Sequence, residues 1–96
     1  MLIGIVCDVI KMKFMTIMSW KPENSQKVTE KFLNWKVPDG MKFLYGPCTI
    51  VGYNKSMVVF ETTDEAWAKT ARYWRDLCEM KSYPLMDSAE IAKIKP

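Results

Sequence analysis

The segment Lys13–Trp20 alternates with the period of a β-strand, yet both of its faces are largely apolar. Phe14, Thr16, Met18 and Trp20 point one way, and Met15, Ile17 and Ser19 the other. A strand with one wet face would alternate with charge, so this one belongs mid-sheet with both sides covered. Ser56–Thr62 repeats the feature, with Met57 and Val59 on one face and Val58 and Phe60 on the other. Two such strands constrain a chain of 96 residues severely. One layer of helices covers one face of a sheet, and a chain this short has nothing left for the second. A second copy is the economical cover, because soluble monomers rarely leave so large an apolar patch wet.

The remaining elements fall around these two strands. Pro22 ends the first strand and suits the opening turn of a helix. In that helix Val28, Phe32 and Trp35 form one stripe, with Lys27, Glu30, Lys31 and Asn34 on the wet side. Pro38-Asp39-Gly40 is a turn, and Met41–Tyr45 a second strand. Gly46-Pro47 interrupts that strand, which marks a sheet edge or a bulge, and Cys48–Val51 continues it up to a hairpin loop at Gly52–Lys55. Thr62-Thr63-Asp64-Glu65 reads as a capping box, with the Thr62 hydroxyl accepting from the Glu65 amide. The helix it opens runs to about Cys78 on a stripe of Trp67, Ala71, Trp74 and Cys78. Met80–Met86 reads as a fourth strand, with Pro84 marking an edge or a late-strand position, and Ser88 to about Ile94 as a short last helix. Two βαβ units joined by a hairpin give the ferredoxin-like βαββαβ arrangement: an α+β fold with a four-stranded antiparallel sheet and two helices on one face. Pairing two such sheets face to face makes a dimeric α+β barrel. Residues 12–96 form this single domain. Residues 1–11 precede it as an extension, and their β-branched run of Ile3, Ile5, Val6, Val9 and Ile10 favours a strand-like arm.

The runs Phe14-Met15-Thr16-Ile17, Glu61-Thr62-Thr63-Asp64, Trp74-Arg75-Asp76-Leu77 and Tyr83-Pro84-Leu85 resemble an uncharacterised family, the domain of unknown function 3303. The resemblance extends over roughly residues 12–94. It implies the dimeric α+β barrel fold and supplies no functional residues.

Composition excludes several kinds of chemistry. Histidine is absent, which removes the commonest general base, the commonest metal ligand and a histidine-ligated haem. Cys7, Cys48 and Cys78 are odd in number and widely spaced, so no C-x-x-C metal or redox pair exists. The expectation is no metal and no cofactor. Free thiols, read as small buried hydrophobes, suit a reducing compartment and point to the cytoplasm. The net charge of +3 is spread along the chain instead of forming a basic stripe, and the third strand carries Phe60 as its sole aromatic residue. Nucleic acid is therefore not an expected partner. No run approaches the ~20 apolar residues of a membrane span, and Met1–Ile10 lacks the basic start and small-residue end of a signal peptide.

No catalytic signature stands out, so catalytic residues are left unknown. Asp64 reads as part of a helix cap, and Asp76, four residues after Arg72, as half of a helix-surface ion pair. The candidate binding residues are Trp20, Tyr45 and Tyr83, aromatic side chains at strand positions placed to line a pocket between sheet and helices. Two readings follow: a homodimer that binds a small molecule in its barrel, or a non-enzymatic dimeric interaction domain. A cavity with convergent polar side chains favours the first, and a filled interior the second.

Overall fold

In the computed structural model, which describes residues 11–94, the sheet order is β2-β3-β1-β4 with every neighbouring pair antiparallel. β1 (Met12–Ser19) and β3 (Lys55–Thr62) are the central strands, and β2 (Met41–Ile50) and β4 (Glu79–Leu85) the edges. The two strands that carry apolar residues on both faces thus occupy the positions where both ladder edges are paired. Pro47 and Pro84, which cannot donate to a ladder, lie in edge strands. The expected arm at residues 1–11 lies outside the described residues apart from Lys11.

After β1, a 3₁₀ turn at Pro22–Asn24 leads into α1 (Ser25–Leu33). Trp35, expected within the helix, follows its end but still packs against the core of Val28, Trp74 and Cys78. β2 is one continuous strand whose register against β3 shifts twice, between Phe43 and Tyr45 and again before Cys48. Gly46 sits between these shifts at φ +83°, and a Cβ there would meet the Met57 carbonyl oxygen at 2.9 Å. Only glycine allows the edge strand to lie this close to β3. α2 (Asp64–Trp74) follows β3, and α3 (Ser88–Ala92) follows β4. No helix of the described residues is long and apolar enough to cross a membrane.

The capping assignment needs correction. Thr63, not Thr62, is the N-cap of α2, its hydroxyl accepting from the Ala66 amide at 3.2 Å. Thr62 is the last residue of β3, 1% exposed, and its hydroxyl donates to the Thr63 carbonyl at 2.9 Å. The strand register turns Thr62 toward the helices, so it has no freedom to serve as the cap. Glu65 instead approaches Lys69 at 3.5 Å. The helix also ends earlier than the stripe to Cys78 implied. Its buried face is Ala66, Thr70 and Trp74, spaced by four, with Trp67 alongside. Asp87 precedes α3 without a side-chain cap bond and pairs with Lys13 at 2.9 Å.

These placements separate the two threonines experimentally. Thr63→Ala is expected to cost about 1 kcal/mol of unfolding free energy through loss of the cap. Thr62→Val keeps the shape in the core and is expected to cost less, and urea denaturation of the two variants checks the order.

Candidate functional site

The face of the sheet beneath the helices is graded along its length by strand register. At one end Phe43, Phe60 and Phe14 stand side by side on β2, β3 and β1. In the middle row Val58 is opposite Thr16, and Thr16 opposite Ser82. At the other end Thr49 is opposite Ser56, and Ser56 opposite Met18. Above this floor α1 contributes Ser25, Val28, Thr29 and Phe32, one stripe at helical spacing, and α2 contributes Trp67, Thr70 and Trp74. Between floor and roof lies a cavity of about 310 Å³.

Aromatic groups form the walls. Trp67 stacks on Phe60 with centroids 5.4 Å apart and on Phe14 at 5.9 Å. Across the cavity Trp35 meets Phe43 at 5.8 Å and the edge of Trp74 at 5.6 Å. These offset and edge-on arrangements are the ones favoured by the ring quadrupole. All four tryptophans of the chain, Trp20, Trp35, Trp67 and Trp74, line the cavity. Among the described residues no charged side chain does. Thr29, Phe32, Pro47 and Thr49 remain exposed, and they mark the mouth between α1 and β2.

The polar groups of the lining differ in how they are used. Thr16 and Ser82 share a hydrogen bond of 2.8 Å beneath the cavity. The Trp20 indole N–H donates to Ser25 Oγ at 3.2 Å, and Ser25 donates to Asn54 Oδ1 at 3.2 Å. Among the described residues the Thr70 hydroxyl has only the Met41 sulfur, 3.8 Å away, a weak acceptor. Thr49 and Ser56 make no side-chain hydrogen bond to any described residue. The Trp74 Nε1 is buried without a partner among the described residues, and such a donor costs free energy wherever it stays unpaired.

The helices above the cavity are tied to each other through Lys31. Its carbonyl accepts from the Tyr73 hydroxyl at 2.8 Å, and its ammonium lies 4.6 Å from the Tyr73 ring centre. The same ammonium donates to both oxygens of Asp76, at 2.9 and 3.1 Å, and holds that carboxyl below its usual value. Asp76 lies in the turn after α2 and pairs across to α1, not with Arg72. The expected pair with Arg72 needs a helix that continues to Asp76, and α2 stops at Trp74.

The structure divides the three residues singled out from sequence. Trp20 lines the cavity. Tyr45 is opposite Val59 and Tyr83 opposite Met15, so both belong to the other face of the sheet, 62% and 47% exposed. Tyr45 is there because of the register shift after Phe43, which puts Leu44 and Tyr45 together against Val59. Sequence reasoning missed Trp35, Trp67, Trp74, Thr49 and Ser56 as site residues. The signal that could have found them is a hydroxyl on an otherwise apolar strand face, as at Ser56 beside Val58 and Phe60. Among the described residues no group of three or more histidine, cysteine, aspartate or glutamate side chains is placed to hold a metal ion.

The two described thiols differ, and one departs from the buried role expected of it: Cys48 is exposed on edge strand β2, while Cys78 is buried against Val28 and Trp74. Burial pushes the Cys78 thiol up to about 11 from 9.0, with the nearby Asp76 charge adding to the rise. A raised pKa in the folded state means stability that is whole below pH 9 and lost as pH climbs toward 11. In a Cys7→Ser background, a maleimide is expected to label Cys48 quickly and Cys78 only on unfolding, as read by mass spectrometry.

No curated protein and no solved structure matches the chain. A family model, described as Domain of unknown function (DUF3303), matches residues 12–95. That match covers nearly the whole chain and includes every strand and helix around the cavity, so the chain belongs to this uncharacterised family.

Proposed function

We propose that this protein binds a small molecule in the cavity between its sheet and its two main helices. The observation that carries the reading is the convergence of all four tryptophans on one space of about 310 Å³. A chain with a modest core would ordinarily use such side chains to fill its interior, since each buries a large apolar area. Here they stand around a space at the small end of the ligand-pocket range. Hydroxyls at Thr16, Thr49, Ser56 and Thr70 supply the few polar points that orient a ligand in an apolar site. No group among them is arranged as a nucleophile with a base, so binding, and not a particular reaction, is the function supported. The unpaired Cys48 and Cys78 favour a reducing compartment, and we assign the cytoplasm on that ground.

A ligand entering this space would change the surroundings of every tryptophan at once. Titration with small aromatic compounds is expected to quench the intrinsic fluorescence saturably. Val58→Phe, which directs a ring into the cavity from the centre of its floor, is expected to weaken that binding at least about tenfold while the chain stays folded. Quenching that survives this substitution unchanged would refute the site.

The opposite face of the sheet supports a second, compatible reading, a homodimer. Met15, Ile17, Met57 and Val59 form its half-buried apolar centre, flanked by exposed Leu44, Tyr45 and Tyr83. Lys13, Lys55 and Lys81 surround this centre together with Glu61 and Glu79, and a rim of both signs is complementary to a rotated copy of itself. We therefore infer that a second copy covers this face. Sedimentation at micromolar concentration is expected to show twice the 11.2 kDa chain mass, and Ile17→Lys is expected to return the protein to monomer.

A further inference from the structure

We propose that the cavity selects a neutral, flat aromatic molecule bearing a hydroxyl or carbonyl group, with its ring held at the phenylalanine–tryptophan end and its oxygen at Thr49 and Ser56. This deepens the ligand-binding reading and rests on it.

Three observations combine. On the floor of the cavity, the hydroxyls without a partner among the described residues lie at one end only. The floor runs from the cross-strand pair Phe43 and Phe60 to the pair Thr49 and Ser56, and Trp67 and Trp35 stand over the aromatic end. A ligand with one apolar end and one polar end has a single favourable direction in such a space. The second observation is that the Thr49 and Ser56 hydroxyls are uncommitted among the described residues, whereas those of Thr16, Ser25 and Thr29 have oxygen partners and that of Thr70, on the roof, faces the Met41 sulfur. A hydroxyl both donates and accepts, so the pair serves a phenol or a carbonyl equally well. The third is that, among the described residues, no charged side chain belongs to the lining. A carboxylate or phosphate would gain no counter-charge from these side chains and would shed part of its hydration on passing the mouth, a penalty that a neutral oxygen largely avoids. Flatness follows from the walls. The ring faces and edges of Trp67, Phe60, Trp35 and Phe43 favour stacking and edge-on contact over bulky aliphatic shapes.

Three probes of one ring system separate these elements: naphthalene, 1-naphthol and 1-naphthoate, measured by equilibrium dialysis at pH 7 against the full chain and its Thr49→Val/Ser56→Ala variant. Naphthol is expected to bind about two- to tenfold more tightly than naphthalene, the worth of one or two hydrogen bonds. Naphthoate is expected to bind at least about tenfold more weakly than naphthol. In the double variant the advantage of naphthol should vanish while naphthalene binds as before, which also shows that the variant is folded. Equal binding of naphthol and naphthalene, or an advantage that persists in the variant, would overturn the polar-end assignment and leave the cavity as a ligand site. Tightest binding by naphthoate would overturn the preference for a neutral ligand. Failure of all three probes to bind would remove the ligand-binding reading itself, and this inference with it.

Discussion

The pairing of β1 with β3 in one register decides what each side of the molecule is made of. Phe14, Thr16 and Met18 meet Phe60, Val58 and Ser56 beneath the helices, and Met15 and Ile17 meet Val59 and Met57 on the far side. A slip of one residue would exchange the two sets, sending Phe60 and Thr16 outward and breaking their packing with α2. The register is held because the two faces are not interchangeable. One needs large rings and buried hydroxyls to meet Trp67 and Ser82, and the other offers a smoother surface of methionine, isoleucine and valine.

From that pairing the cavity follows. The central floor residues, Thr16 and Val58, are small, while the residues that rise at the ends and from the helices are large. Helices resting on tryptophans stand off a floor that is low in the middle. The enclosed volume is thus a product of size grading along the strands, the reverse of the interdigitation that fills an ordinary core. Trp74 illustrates the strain of this solution. It is 2% exposed and central to the core, yet its indole N–H finds no partner among the described residues.

The strand order, the central place of β1 and β3 and the edge place of β2 and β4 were legible in the sequence, because a two-residue period with apolar side chains on both faces has few explanations. The cavity was not. Val28 and Trp74 at helical spacing look the same whether they fill a core or wall a space, since periodicity reports which way a side chain points and not what it meets. Tyr45 was misplaced for a different reason. Period-two counting fails across a bulge, and Gly46-Pro47 signalled irregularity without saying that Tyr45 would share a side with Leu44. The capping threonine was ambiguous by one residue because Thr62 and Thr63 both satisfy the pattern, and only the end of β3 decides between them.

The attachments of α1 have a mechanical consequence. Near its start, Ser25 is tied through Trp20 and Asn54 to the ends of β1 and β3. Near its end, Lys31 is tied to Tyr73 and Asp76 of the neighbouring helix region. No hydrogen bond or ion pair among the described residues joins α1 to β2. The helix is therefore a beam pinned at two supports, with its long side facing β2 unfastened. A roll about the line joining those supports would break none of these bonds, though it would work against the packing of Val28, and would carry Thr29 and Phe32 away from Pro47 and Thr49. For any molecule that entered past Thr29 and Phe32, the width of the way in would then depend on how far this beam turns, and not on the volume behind it alone.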